Sequence, residues 1–213
     1  MSPTAPSSNL SSVETRLVKG EGIIITDFLP PEKYYEILDF ALTNQNQFKA
    51  SSTVTQESNY RQSLVTFSHD FPLIYESMKV AILKHFPRIC HHLRRSYFPI
   101  SQIEMQMTAH NHNNFYKLHN DSGSEDTHTR ELTYVYYFYR EPQAFSGGEL
   151  WLYDTTLKGK QPLSQSEFQT IQPQNNSIVF FNSDCQHEVR PVSCPSEQFS
   201  DSRFTINGWL RRS

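Results

Sequence analysis

The chain has 213 residues, of which 37% are hydrophobic and 19% charged, enough for one domain with its own core and too few for two ordinary ones. The net charge of -3 gives no overall reason to bind nucleic acid or an acidic membrane surface. No apolar run reaches the roughly 18 residues of a membrane helix, and the N-terminus lacks a secretory signal pattern. Three widely spaced cysteines without a CxxC pattern favour structural thiols over a disulfide framework or a thiolate zinc site. We therefore expect a cytoplasmic protein.

The N-terminal half predicts a tail, a strand and two helices. Residues 1–15 are rich in Ser, Pro and Thr, which predicts a disordered tail before a single domain at 16–213. The apolar run 22–28 predicts a short buried strand, and helical spacing after Pro31 predicts a helix. A second helix is predicted from Phe71 or Pro72 to Phe86, with Pro87 ending it.

A basic stretch lies at 84–95, just where the second helix is expected to end. It could be a nucleic-acid patch, but in a chain that is acidic overall a solvated helix end is the more ordinary explanation. We expect no nucleic-acid partner.

The C-terminal half, from about residue 100, predicts a β-rich core. Short β-branched and aromatic runs are separated by turn residues, a pattern typical of an antiparallel sandwich or jelly roll. The two helices are expected to pack on one outer face, which makes the fold mainly β within the α+β class. The predicted strands are 103–108, 132–139, 149–153, 168–171, 177–181 and 204–210.

Two short motifs are candidate metal ligands. His119 and Asp121 are two residues apart, so on an extended segment they point to the same side. His187 follows an apolar strand that is expected to be central in the sheet. Alone, either motif would be an ordinary loop or a hydrogen-bonded structural histidine.

A third motif strengthens both. Alternation in the last strand places Arg203, Thr205 and Trp209 on one face, opposite an apolar face. An arginine inside a barrel is costly unless an anion pairs with it, and its fork suits a carboxylate to which Thr205 could donate another hydrogen bond. A carboxylate-bearing ligand is therefore expected inside the barrel.

Two histidines and one carboxylate on one side of a metal leave the other positions open, as in non-haem Fe(II) oxygenases. A 2-oxo acid and O₂ would fill them. Zinc is the competing metal, although it normally closes to four ligands and would leave the inward arginine unexplained.

Taken together, the motifs resemble the prolyl 4-hydroxylase branch of the Fe(II)/2-oxoglutarate dioxygenases, over roughly residues 104–213 and again over the strand and helix at 23–42. Asparagines in the turn 111–116 replace the family's glycines, and a loop at 193–198 lengthens the last connection. The motifs that carry the resemblance are His119-x-Asp121, Gly147-Gly148-Glu149-Leu150, Phe180-Phe181, His187-Glu188-Val189 with Pro191-Val192, and Arg203-x-Thr205 with Trp209.

This resemblance implies a double-stranded β-helix, a cupin-like jelly roll, with its core at about 100–213. It implies that His119, Asp121 and His187 bind Fe(II) and that Arg203 binds the 5-carboxylate of 2-oxoglutarate. Tyr137 matches a position whose hydroxyl reaches the same carboxylate, with core packing as the alternative. His110 lies where many relatives carry a tyrosine, on the strand leading to the iron site, and is expected to hydrogen-bond the co-substrate, with a loop-capping role as the alternative. O₂ is the further co-substrate, and ascorbate is an additional candidate cofactor.

The implied reaction is hydroxylation of an unactivated C–H bond, most simply in a prolyl residue of a peptide or protein. A free amino acid or small natural-product intermediate is the alternative substrate, and a catalytically silent jelly-roll binding module is the alternative class. The polar loops 46–61 and 122–130 are candidate lids, and His112 and His128 are expected to be exposed. Arg61 could contact substrate or form a surface salt bridge. The remaining candidates for substrate contact are Arg130, Trp151 and Trp209.

Overall fold

The computed structural model describes residues 14–51 and 60–213. Most of the predicted tail, residues 1–13, lies outside this range, but Thr15 within it already begins a strand. In chain order the elements are β1 (Thr15–Val18), β2 (Gly22–Ile25), α1 (Pro31–Thr43), β3 (Lys49–Ala50), β4 (Arg61–Gln62), β5 (Leu64–Phe67), α2 (Pro72–His92), β6 (Ile100–His110), β7 (Phe115–His119), β8 (Arg130–Phe138), β9 (Ser146–Gly147), β10 (Leu150–Lys158), β11 (Gln161–Ile171), β12 (Ser177–Asn182), β13 (Gln186–Val189), β14 (Val192–Ser193) and β15 (Arg203–Arg212). Three short 3-10 helices lie at Gln45–Gln47, Ser68–Asp70 and Phe199–Asp201.

Two antiparallel sheets form the core, which confirms the mainly β jelly roll. The larger has the order β2-β12-β8-β15-β6-β5-β3, and the smaller has β1-β10-β13-β7-β4 with β11 paired to β10. A buried cluster that includes Leu152 from the smaller sheet and Phe181 and Tyr137 from the larger one lies between them. The inner faces of the two sheets therefore pack against each other and enclose the space in which the candidate site lies.

The two helices cover the outer face of the larger sheet, as predicted. Side chains alternate along β15, so Phe204 and Ile206 join the helix residues Ile37 and Met78 in one buried cluster. Arg203 therefore points to the opposite, inner face. Burial of the helices on the sheet thus fixes which face of β15 lines the barrel.

The prediction that Pro87 ends the second helix is wrong, because α2 continues to His92. Proline removes one backbone hydrogen bond inside a helix, a cost of about 3 kcal/mol relative to alanine. The turn beyond it buries Ile89 and Cys90 completely in the helix-sheet cluster. Burial of these side chains contributes enough to keep the helix going past the proline.

The basic stretch at 84–95 includes the last turns of α2 and the residues that follow it. Arg95 forms an ion pair with Glu131 at the start of β8. His91 and His92 are exposed at the helix end. These contacts agree with the interpretation as a charged helix end. Among the described residues, no helix is both long enough and apolar enough to cross a membrane.

Candidate functional site

The three predicted metal ligands come together inside the barrel. His119 is the last residue of β7 and lies directly across from His187 in the antiparallel pairing with β13. Asp121 follows two residues later, where its backbone N–H donates to the carbonyl of Ser183 at 3.0 Å. One donor atom from each of the three side chains lies within 4.8 Å of the other two. The strand pairing therefore converts two distant motifs into one cluster.

Hydrogen bonds orient both imidazole rings. Nδ1 of His119 lies 2.6 Å from the carbonyl of Lys117, and Nδ1 of His187 lies 3.0 Å from the carbonyl of Cys185. A carbonyl only accepts, so each Nδ1 donates its proton to the carbonyl, and Nε2 is the ring nitrogen available to a metal. The Nε2 atoms of His119 and His187 lie 3.7 Å and 3.3 Å from the carboxylate oxygens of Asp121. Two nitrogens and one oxygen on one side suit Fe(II) and leave other positions open.

Burial and mutual charge set the protonation of the cluster. Burial lowers the pKa of His119 to about 3, and the neighbouring His187 adds to this effect. Burial alone would raise the pKa of Asp121, but the facing His187 and His119 outweigh it and hold the pKa below its ordinary value. Asp121 is therefore an ionised carboxylate and His119 a neutral imidazole, the forms in which these side chains bind a metal.

Arg203 lies in the same cavity, which has a volume of about 550 Å³ and is lined by the three ligands, Thr205 and Trp209 among others. Its side chain is 1% exposed, and no carboxylate among the described residues forms an ion pair with it. Its Nη1 lies 3.4 Å from Nδ1 of His110, and its guanidinium carbon lies 5.0 Å from the ring centre of Tyr137. A buried guanidinium without a counter-ion fits an anionic ligand.

Further buried polar atoms at this end of the cavity have no hydrogen-bond partner within the described ranges. They are Nε2 of His110, the Tyr137 hydroxyl and Nε of Arg203. Burial, reinforced by the Arg203 charge, holds the pKa of His110 well below its ordinary value, so the imidazole is neutral. Because Arg203 donates to Nδ1, the proton of His110 is on Nε2. The unsatisfied donors fit a carboxylate-bearing co-substrate such as 2-oxoglutarate.

Gly148 adjoins the arginine, with a backbone φ of +72°. A Cβ added there would lie 2.5 Å from Cδ of Arg203, closer than two carbons can approach. The GGEL motif therefore leaves room for the buried arginine.

We expect Gly148→Ala to displace Arg203, since both the positive φ and the short contact oppose a side chain at this position. The expected results are a free energy of unfolding lower by about 1–3 kcal/mol and weaker 2-oxoglutarate binding. Urea unfolding and calorimetric titration with 2-oxoglutarate measure the two effects. Unchanged affinity for 2-oxoglutarate would show that Gly148 does not control the arginine.

The candidate substrate residues divide into three that line the cavity and one that does not. Arg61 makes no salt bridge within the described ranges, contrary to the alternative expected for it; Nε donates to Ser63, and the guanidinium lies 5.0 Å from the ring centre of Tyr116. Arg130 pairs with Glu104 and stacks 3.6 Å over the Trp209 ring.

Trp151 is misplaced by the sequence prediction. Its neighbours Leu150 and Leu152 are buried between the sheets, so alternation sends Trp151 to the outer face of β10. There it stacks on Phe168, with ring centres 4.4 Å apart, and under Arg190. Trp151 is not among the residues that line the cavity.

The polar loops give a mixed result. Asn113 has a φ of 60°, so an asparagine takes the left-handed conformation in the turn at 111–116, where the family has glycines. His128 is exposed as expected, but His112 is half-buried and its Nδ1 accepts the backbone N–H of Cys194 at 3.2 Å. Gly123, Ser124 and Thr127 of the 122–130 loop line the cavity, whereas residues 52–59 of the other candidate lid lie outside the described residues.

Two site residues were missed by sequence reasoning. The ring of Tyr116 stacks on His119 with centres 3.6 Å apart, and Thr133 donates a hydrogen bond to Asp121 at 2.8 Å. Tyr116 lies three residues before His119, and in a regular strand residues three apart point to opposite faces. The register shift in the pairing of β7 with β13 could not be predicted from the sequence. Thr133 is far from Asp121 in sequence relative to any local motif, so their hydrogen bond is recognised only in the folded structure.

The fold and the site together define a class. The sequence pattern of the 2OG-Fe(II) oxygenase superfamily matches residues 105–211, half of the chain. The chain belongs to this superfamily, whose members use Fe(II), 2-oxoglutarate and O₂.

An uncharacterized PKHD-type hydroxylase of Synechocystis is 48% identical over 188 residues, which cover 88% of this chain. The chain spans 62% of the length of that relative. Among solved structures, a Trichoplax adhaerens prolyl hydroxylase in complex with a hypoxia-inducible-factor peptide has a TM-score of 0.65 at 19% identity, covering 90% of this chain and 83% of its own. A Pseudomonas putida prolyl-4-hydroxylase has a TM-score of 0.59 at 16% identity, covering 90% and 92%. At these identities the solved structures show the jelly-roll fold alone.

Proposed function

We propose that this chain is an Fe(II)- and 2-oxoglutarate-dependent hydroxylase that acts on a prolyl residue of a peptide or protein. The observation that carries the proposal is a single cavity that is lined by His119, Asp121 and His187 and also by Arg203. Arg203 is buried and has no ion-pair partner among the described residues. The cavity therefore offers both groups that 2-oxoglutarate requires for binding, a metal site and a cation for its far carboxylate. A silent binding module would not need both.

The metal and 2-oxoglutarate supply the oxidising power when bound: one oxygen atom of O₂ enters the substrate C–H bond, and the other enters succinate as CO₂ leaves. The protein residues bind, orient and exclude water. Arg203 pairs with the far carboxylate of the co-substrate, and the Tyr137 hydroxyl, Thr205 and the Nε2–H of His110 are hydrogen-bond donors around it.

The prolyl substrate is supported by the two solved structures of similar fold described above, both of which are named as prolyl hydroxylases. The cavity wall near the ligands carries Tyr116 and Trp209, flat surfaces on which a pyrrolidine ring can pack.

A location in the cytoplasm belongs to this proposal and is supported by Cys90, Cys185 and Cys194, all buried and free.

One observation favours a second substrate class. Arg61 lines the cavity without an ion-pair partner among the described residues, and a guanidinium in that state suits a substrate carboxylate. A free amino acid or a small natural-product acid would supply one. A peptide would instead offer backbone carbonyls to the same donors.

A turnover assay tests the proposal and separates the two substrates. The purified chain, Fe(II), ascorbate and 2-oxoglutarate are incubated under O₂ with a panel of capped proline peptides and free amino and natural-product acids. We expect succinate formation coupled to a product heavier by one oxygen atom, located by fragmentation on a proline ring. Matched peptides with alanine in place of proline control for the site. Succinate without any peptide product would favour the small acids, and no succinate under any condition would contradict the function.

A further inference from the structure

The carboxylate of Asp121 is held by a hydroxyl from the opposite sheet. Thr133 on β8 is 3% exposed, and its Oγ1 donates to Oδ2 of Asp121 at 2.8 Å. Ser183, which is fully buried, lies behind it, with its Oγ 3.0 Å from Oγ1 of Thr133. Three buried polar groups thus form one chain that ends on a candidate metal ligand.

The number of hydrogens on each group determines which group donates in this series of hydrogen bonds. A threonine hydroxyl has one hydrogen, and an ionised carboxylate can only accept, so the hydrogen of Thr133 lies toward Asp121. The hydroxyl of Ser183 then donates to Thr133. Hydrogen bonds in such a series polarise one another, so the Thr133 hydroxyl is a stronger donor to Asp121 than an isolated hydroxyl would be.

Thr133 lies within a strand, and Ser183 lies in the turn after β12, where its backbone N–H donates to the carbonyl of Glu131 at 3.2 Å. Thr133 pairs with Trp209 on one side and with Phe181 on the other, in the middle of the seven-stranded sheet. Ser183 also accepts the backbone N–H of Asp121 at 3.0 Å. Asp121 lies in a bend beyond the end of β7. The backbone is therefore fixed through Ser183 and the side-chain rotation through Thr133.

We propose that Thr133, oriented by Ser183, is a positioning residue that fixes the Asp121 carboxylate for metal binding. This inference rests on the metal site of the proposed function. Without the hydroxyl, the carboxylate can rotate away from the two imidazoles, and the metal loses a preorganised oxygen ligand. Hydrogen-bond partners of metal ligands typically contribute about 10- to 100-fold in metal affinity or activity.

The test compares Mn(II) affinity, read from the loss of the free-ion EPR signal on titration, in the chelator-treated full-length chain and its variants. Thr133→Val preserves the side-chain shape and removes the hydroxyl, while Thr133→Ser keeps it. We expect Thr133→Val to bind Mn(II) about 10- to 100-fold more weakly and Thr133→Ser to restore most of the affinity. Ser183→Ala removes only the second donor and is expected to have a smaller effect.

The chain offers a matched control in Thr66, which is also buried and donates to Asp70 at 2.6 Å, outside the cavity. Thr66→Val removes the same type of bond and calibrates the structural cost by thermal unfolding of the metal-free protein. We expect it to leave Mn(II) affinity unchanged. If Thr133→Val binds Mn(II) as tightly as the original chain, or if Thr66→Val weakens binding equally, the positioning role is overturned. Failure of the unmodified chain to bind Mn(II) would instead overturn the metal site itself, together with this role.

Discussion

Replacing His187 with alanine is expected to abolish Fe(II) binding and, with it, 2-oxoglutarate turnover. His187 supplies one of three protein donors, and its Nε2 faces Asp121 at 3.3 Å. Since loss of a mere partner of a ligand lowers affinity or activity by about 10- to 100-fold, loss of the ligand itself should exceed about 100-fold. Metal analysis after anaerobic loading and succinate formation under O₂ are the measurements.

His92→Ala is the matched control, because His92 is exposed in the last turn of α2, outside the cavity. It should load Fe(II) and form succinate as the unmodified chain does. Retention of Fe(II) by His187→Ala at the original stoichiometry would contradict the ligand assignment. A His187→Ala chain that no longer folds, detected by thermal unfolding, would be replaced by His187→Gln, which keeps much of the volume without the imidazole.

Arg203→Ala is expected to weaken 2-oxoglutarate binding strongly while leaving metal content nearly unchanged. Removing one partner of a buried charge pair weakens the binding free energy by about 2–5 kcal/mol, which corresponds to an increase of about 30-fold or more in the KM for 2-oxoglutarate. The Asp121 cluster does not contact Arg203 in any hydrogen bond or ion pair among the described residues. Metal affinity and co-substrate affinity should therefore separate in this variant.

Arg203→Lys refines the result, since a lysine keeps the charge and loses the two-pronged hydrogen bonding. We expect Arg203→Lys to have a KM for 2-oxoglutarate between that of the unmodified chain and that of Arg203→Ala. Arg140→Ala, which breaks a half-exposed ion pair with Asp201, is the control for arginine removal. Parallel loss of metal and co-substrate in Arg203→Ala would mean that the arginine is structural.

The residues that could be predicted are those whose roles depend on local pattern. The alternation of β15 correctly divides Arg203 and Thr205 from Phe204 and Ile206. The same rule, applied to Leu150 and Leu152, would have sent Trp151 outward. The two-residue spacing of His119 and Asp121 also predicts their arrangement, because a step of two residues at the end of a strand keeps both side chains on one side.

The unpredicted parts depend on contacts between distant segments. β7 and β13 have no apolar alternation, because their inner face lines a polar cavity, so neither was recognised as a strand although each carries a proposed metal ligand. α2 passes Pro87 because Ile89 and Cys90 are buried by the sheet. Thr133 is assigned to Asp121 only when β8 and the bend after β7 are seen together.

The most direct test of the account is an anaerobic titration of the metal-free chain with Fe(II) and then 2-oxoglutarate, followed by visible absorption. The account predicts a weak metal-to-ligand charge-transfer band that appears only when both are present, saturates at one equivalent of Fe(II) per chain and is absent from His187→Ala. No band in the unmodified chain, with Fe(II) shown to be available, would contradict the claim that these residues form a 2-oxoglutarate-binding iron centre.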